Sequence, residues 1–210
     1  CCMNSIATSE PRVYRKKARA QQEEETRQRI VDAAIELHAS EGFPGASISA
    51  IAERAGVGRV TVYRHFPDYD AIMLACTSHY MGLHPPPQLS QWEAISDNEE
   101  LLRTVVADCY DYFQANEPMF THGAADAVTL PFLAQRMMEI GAYWSGVRDW
   151  LITRLAPNGH LTQEANAVIG LLLSFSGWQA LVRQQQLPFE EAKVAASEGI
   201  SVLLFHEPKS

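Results

Sequence analysis

Apolar residues in this chain recur at three- and four-residue steps, the spacing that places side chains on one face of a helix. Segments with this period follow one another from residue 23 to near the end of the chain. The pattern therefore predicts an all-α protein. Helices are predicted over residues 23–40, 48–55, 58–65, 68–83, 98–116, 118–127, 131–155, 162–186 and 188–205.

Two of the predicted helices are short and lie on either side of a glycine. Ser47 is a favourable cap for the first of them. Gly56 follows its last apolar residue, as expected where a helix ends in a positive-φ conformation. The second helix, residues 58–65, has Val62 and Phe66 as inward-facing residues. Two short helices joined by such a turn indicate a helix-turn-helix motif.

The outer face of the second helix consists of side chains that form hydrogen bonds. Arginine can bind guanine through two acceptors, and the threonine methyl group can contact that of thymine. Tyrosine and histidine are suited to phosphate oxygens, which fix position without specifying sequence. A solvated amphipathic helix is the alternative, but the turn and the short helices favour DNA recognition. The residues on this face are Arg59, Thr61, Tyr63, Arg64 and His65.

Residues 26–75 resemble the DNA-binding domain of the tetracycline-repressor (TetR) family of bacterial regulators. The resemblance is carried by RIVDAAIELHASEGFPGASISAIAERAGVGRVTVYRHF, and within it by AA-x-EL-x-x-x-x-GF, IAERAGV and TVYRHF. It covers about 50 of the 210 residues. The rest of the chain resembles the family only in length and helical character.

The resemblance implies which residues contact DNA. Phosphate contacts are expected from Ser47, Tyr63 and His65. Base contacts are expected from Ser49, Arg59, Val60, Thr61 and Arg64. Two positions depart from the family pattern: Gly58 replaces a capping Ser or Thr, and Tyr69 replaces a Lys that commonly opens the next helix. The phosphate anchor at that position is then missing or reduced to the Tyr69 hydroxyl.

The charge of the chain is unevenly distributed. Residues 1–75 hold ten Lys or Arg and ten Asp or Glu, whereas the remaining residues carry the whole net charge of -8. Residues 1–22 are predicted to be a basic, flexible arm, which either enters the minor groove or is a solvated tail. The predicted DNA-binding domain spans residues 23–75, and residues 76–210 form a second helical domain.

Neither the cysteines nor the histidines indicate a metal site or a cofactor. Cys1, Cys2, Cys76 and Cys109 form no CxxC pair, and the first two precede Met3, so they are candidates for a non-native extension. With no secretory leader apparent, a reducing cytoplasm is the expected compartment. The uncharged stretch 165–182 is predicted to be a buried helix, with a membrane-spanning helix as the alternative.

The second domain is predicted to bind a small, largely apolar effector and to dimerise, as the resemblance implies. Aromatic and methionine side chains are the candidate pocket lining, although a plain core is the alternative for each. They are Tyr110, Phe113, Phe120, Met137, Met138, Trp144, Phe175 and Trp178, with His122, Asp126, Gln135 and Gln179 as polar candidates. The apolar helices near 162–186 and 188–205 are the expected homodimer interface.

These features predict a sequence-specific transcriptional regulator, most simply a repressor that a small effector releases from a palindromic operator. The alternative is a dimeric DNA-binding protein that has no effector. An enzyme is not expected, because the sequence contains no HExxH, no GxSxG and no phosphate-binding glycine loop.

Overall fold

The computed structural model describes residues 10–157 and 161–205, with side chains described from residue 14 onward in the first helix. Cys1, Cys2 and the rest of the predicted arm up to residue 9 lie outside the described residues. The described part contains helices and no strand, which confirms the all-α prediction. It divides between Leu83 and His84 into two compact units.

The described part of the first unit contains four helices. They are α1 (Glu10–Glu41), α2 (Ile48–Arg54), α3 (Arg59–His65) and α4 (Tyr69–Leu83). The core is apolar and is closed by α4, which packs along α1. The unit therefore ends with α4, whereas the sequence analysis placed a boundary inside this helix, at residue 75.

The first helix begins thirteen residues before its predicted start, so residues 10–22 of the predicted arm are helical. These residues have no apolar stripe, which is why the hydrophobic period missed them. Their arginines, lysines, alanines and glutamines are strong helix formers, and Pro11 is acceptable in a first turn. Arg19 also pairs with Glu23 one turn later, at 3.2 Å.

The second unit contains the remaining helices. They are α5 (Asn98–Ala115), α6 (Glu117–Asp126), α7 (Pro131–Leu155), α8 (Gln163–Leu172), α9 (Phe175–Gln179) and α10 (Phe189–Phe205). A 3₁₀ turn spans Leu89–Gln91, and α9 continues into a π-helical segment, Ala180–Gln184. The core lies between α5, α7 and α10, with Trp92 and Trp178 fully buried.

The predicted continuous helix over 162–186 is wrong, because the chain bends after Leu172. The Tyr110 hydroxyl donates to the Leu172 carbonyl at 3.0 Å, outside the helical ladder. Ser174 then caps α9 by accepting from the Gly177 amide at 3.1 Å. Gly177 lies so close to the Leu171 carbonyl that a Cβ would be 2.0 Å from its oxygen. Burial of Trp178 and these local bonds outweigh the apolar period.

No single helix among those described is long and apolar enough to cross a membrane. Gln163–Leu172 and Phe175–Gln184 meet that test only as a pair, and the pair is bent by 66°.

Candidate DNA-binding surface and ligand cavity

The turn between α2 and α3 has the geometry expected of a helix-turn-helix. Gly56 has a φ of +66°, and its amide donates to the Glu53 carbonyl at 3.1 Å. The Val57 amide donates to the Ala52 carbonyl at 2.9 Å, which closes the end of α2. The sequence analysis placed this turn correctly because the positive φ at this position favours glycine.

The first turn of α3 and the start of α2 present polar side chains at one surface. Ser47 is exposed and accepts from the Ala50 amide at 3.2 Å, which leaves its hydroxyl proton free to donate to another acceptor. Arg59 is exposed, and its Nη1 atom lies 3.5 Å from Ser49 Oγ. The structure thus brings Ser49 and Arg59, both predicted to contact bases, side by side across the turn.

The rest of the predicted DNA-contacting set divides into exposed and enclosed side chains. Val60 is 83% exposed, and Tyr63 and Arg64 are also exposed. Thr61 is half-buried. His65 is half-buried too, and its Nε2 atom is enclosed without a hydrogen-bond partner among the described residues. His65 and Arg64 line a cavity against α1, so these two residues lie at the side of the surface and not at its centre.

Tyr69 is positioned differently from the other candidates. Its hydroxyl donates to the Phe43 carbonyl at 3.0 Å and lies 3.2 Å from Nε2 of the buried His38. The other nitrogen of His38, Nδ1, lies 3.6 Å from Cys76 Sγ. Burial raises the pKa of Cys76 to about 12, which keeps its thiol protonated at neutral pH. The Tyr69 hydroxyl is therefore engaged in joining α4 to α1, and we exclude it from the candidate surface.

This placement gives a prediction for Tyr69→Phe. Losing the hydrogen bond to the Phe43 carbonyl should destabilise the first unit by about 1 kcal/mol, with faster amide hydrogen exchange in α1 and α4. The dependence of DNA affinity on salt should not change, because no phosphate contact is removed. A smaller salt slope in Tyr69→Phe would instead make this hydroxyl a phosphate ligand.

A cavity of about 360 Å³ lies in the second unit between α6, α7, α8 and α9. Four of the eight predicted ligand-binding residues line it: Phe120, Met137, Trp144 and Phe175. The other lining residues are Ala124, Ile140, Gly141, Ser145, Arg148, Ala167, Gly170, Ser174 and Ser176. Its size is within the usual range for small-molecule sites.

The other four predicted ligand-binding residues do not line this cavity. Tyr110, Phe113 and Trp178 are fully buried in the core behind it, and Met138 is exposed on α7. The polar candidates His122, Asp126, Gln135 and Gln179 do not line it either. Residue type alone does not distinguish the core members of this aromatic group from the lining members, because that depends on how the helices pack.

The sequence analysis missed Arg148 and the serines of this cavity. One sequence feature did point to it: two glycines inside α7, where glycine costs about 1 kcal/mol relative to alanine. At one of these, Gly141, an added Cβ would meet no atom within 4 Å, in agreement with its position on the cavity wall. No group of three or more His, Cys, Asp or Glu among the described residues is arranged to hold a metal ion.

The architecture defines a helix-turn-helix protein with a second, all-helical unit. Residues 30–76 match the family model for bacterial regulatory proteins of the tetR family. The match lies within the first unit and includes the helix-turn-helix, so this domain is similar to those of the tetR family. The family model describes regulatory proteins, which agrees with the expectation from the sequence motifs.

Three individual proteins illustrate the similarity. The uncharacterized HTH-type transcriptional regulator TtgW of Pseudomonas putida is 40% identical over 82 residues, which cover 36% of this chain and 61% of TtgW. A Saccharomonospora viridis protein crystallised with choline has a TM-score of 0.66 at 19% identity, covering 85% of this chain and 96% of its own. Bacillus subtilis FadR in complex with stearoyl-CoA has a TM-score of 0.58 at 18% identity, covering 86% and 99%. The two structures show that the fold is shared across both units.

Proposed function

We propose that this protein is a sequence-specific DNA-binding transcriptional regulator. The observation that carries the proposal is the exposed polar face of α3, next to a correctly formed turn, in a domain of the TetR family. An exposed helix after such a turn is the element that enters the major groove in helix-turn-helix proteins. Arg59, Val60 and Thr61 are in its first turn, where base contacts are made.

The proposed contacts follow from the geometry of the first unit. Arg59, with Ser49 beside it, is the proposed reader of a guanine. Val60 is proposed to meet a thymine methyl group, and Ser47 and Tyr63 to bind phosphates. Thr61 is also proposed to contact a base, and Arg64 and His65 to contact DNA at the edge of the surface. Thr61 and His65 are half-buried and would have to adjust their side chains.

The selection of bound sequences from random duplex DNA tests this proposal. Purified protein at moderate salt should enrich one motif, and a dimer should enrich a palindrome. Binding of equal strength to all sequences would contradict the proposal of a sequence-specific regulator. A single unpaired half-site would contradict the dimer.

The proposed homodimer interface is formed by α8 and α10. Apolar residues remain exposed on both helices, on the sides facing away from the buried Ile169 and Ile200. They are Val168 and Leu171 on α8, and Val194, Val202 and Phe205 on α10. Exposed apolar side chains that continue over two neighbouring helices are typical of an interaction surface, and a two-fold pairing would join four helices.

A charge placed in this surface should prevent dimerisation. For the double substitution of Leu171→Glu and Val202→Glu, sedimentation equilibrium is expected to give the mass of a single chain, because two carboxylates would be buried in an apolar contact. The control is Val128→Glu, at an exposed position between α6 and α7. If the double variant remained a dimer, the interface would have to lie on another surface.

A small effector is proposed to bind in the cavity of the second unit and to lower affinity for the operator. The two sites lie in different units, so their coupling requires that effector and DNA favour different states of the whole protein. The cavity of about 360 Å³ supports this over the alternative of a DNA-binding dimer without an effector. We also propose that the protein acts in the cytoplasm, where it would meet its operator DNA.

A further inference from the structure

The cavity in the second unit is apolar except at one place. Arg148 is the only ionisable residue among the thirteen that line it, and no carboxylate lines it. This is unusual in a chain whose acidic residues exceed its basic ones by eight. A single guanidinium beside apolar walls gives the cavity a polarity that a purely apolar ligand would not use.

The guanidinium of Arg148 is held in place at the cavity. Its Nη2 and Nε atoms lie 2.7 Å and 2.8 Å from Oδ1 of Asp149, which is well exposed to solvent. Its Nη1 atom lies toward α8, where a Cβ added to Gly170 would be 3.2 Å from it. Gly170 therefore provides the room in which the side chain lies, and only one edge of the guanidinium pairs with Asp149.

Much of the remaining lining is aromatic. The rings of Phe120 and Phe175 stack with their centroids 5.0 Å apart, and Met137 also lines the cavity. Trp144 is 8% exposed, and its Nε1 donor has no hydrogen-bond partner among the described residues. A buried indole donor normally has an acceptor, so a ligand acceptor near Trp144 would remove a desolvation cost.

We propose that the effector is a small molecule with an apolar, aryl or alkyl body and one carboxylate head group that pairs with Arg148. Arginine binds carboxylates through two parallel hydrogen bonds, and such pairs are strongest where water is excluded. An aromatic wall also attracts cations, but a cationic ligand would be repelled by Arg148 and would find no carboxylate in the lining. This inference rests on the proposed function, since it names the chemical class of its effector.

The test compares ligands that differ only in the head group. Phenylacetate, phenylbutanoate and decanoate are each titrated by calorimetry against the full chain, alongside the corresponding alcohols and trimethylammonium compounds. We expect at least one carboxylate to bind about tenfold more tightly than its alcohol, and the ammonium compound to bind more weakly than either, because a charge-assisted pair with arginine has roughly this effect.

Two variants assign the effect to the proposed residue. Arg148→Gln should abolish the preference for the carboxylate while leaving affinity for the alcohol within about twofold. Arg154→Gln is the matched control on α7, because Arg154 donates to the Ile95 carbonyl and does not line the cavity. This control should retain the preference.

Several results would overturn the proposal. They are tighter binding of the ammonium compounds, equal losses for acid and alcohol in Arg148→Gln, and no binding by any of the three carboxylates. The affinity for the selected DNA is measured in parallel for the unsubstituted protein and for Arg148→Gln, both without ligand. The two affinities should be equal. Failure of both to bind any DNA would contradict the proposed function, whereas the head-group comparison would still decide the class of the ligand.

Discussion

Replacement of Arg59 by alanine should reduce affinity for the selected operator by about 1–3 kcal/mol, and should leave binding to random DNA almost unchanged. Arg59 is exposed in the first turn of α3, and its Nη1 atom is 3.5 Å from Ser49 Oγ. A guanidinium in this position can donate two hydrogen bonds to one guanine, so its loss removes discrimination at one base pair. Fluorescence anisotropy with the operator and with a scrambled duplex measures both affinities.

Two other variants separate base reading from general attraction. Tyr63→Phe should weaken binding to the operator and to the scrambled duplex by equal factors, because a phosphate contact carries no sequence information. Arg54→Ala removes a neighbouring positive charge that is already paired with Glu36 at 3.2 Å and Glu41 at 3.8 Å. Arg54→Ala should change neither the affinity for the operator nor the affinity for the scrambled duplex. If Arg59→Ala reduced the affinity for both duplexes by the same factor, Arg59 would be a phosphate ligand.

Gly177→Ala should destabilise the second unit by about 3 kcal/mol. A Cβ at this position would be 2.0 Å from the Leu171 oxygen and 2.9 Å from its carbonyl carbon, and backbone atoms cannot move away as a flexible side chain can. The bend between α8 and α9 would have to open, which would disturb the burial of Trp178 and the hydrogen bond from Tyr110 to the Leu172 carbonyl.

Urea unfolding followed by tryptophan fluorescence reports this effect, because all four tryptophans lie in the second unit. Gly146→Ala is the matched control: an added Cβ there meets no atom within 4 Å, and alanine is favoured over glycine inside a helix. It should stabilise the unit by about 1 kcal/mol. If Gly177→Ala and Gly146→Ala changed the free energy of unfolding by the same amount, the backbone at Leu171 would be able to move away from an added Cβ with little loss of stability.

Local sequence rules were sufficient for the helix-turn-helix. The apolar stripe of α2, the glycine at the turn and the serine cap each favour the same local conformation, so prediction and structure agree there. The start of α1 was missed although its propensity is high, because residues 10–22 have no apolar face for the period to detect. Helix formers joined by i,i+4 pairs were the usable evidence for that segment.

The sequence by itself determined the helical class, the turn between α2 and α3, the exposed face of α3 and the bounds of α7 at residues 131 and 155. These depend on the period of apolar residues and on capping chemistry, which act over a few residues. Only the tertiary structure decided that Tyr69 joins α4 to α1, that the chain bends after Leu172, and that Arg148 lies at the cavity. Each of these depends on contacts between residues far apart in sequence, whose packing and hydrogen bonds outweigh local preference.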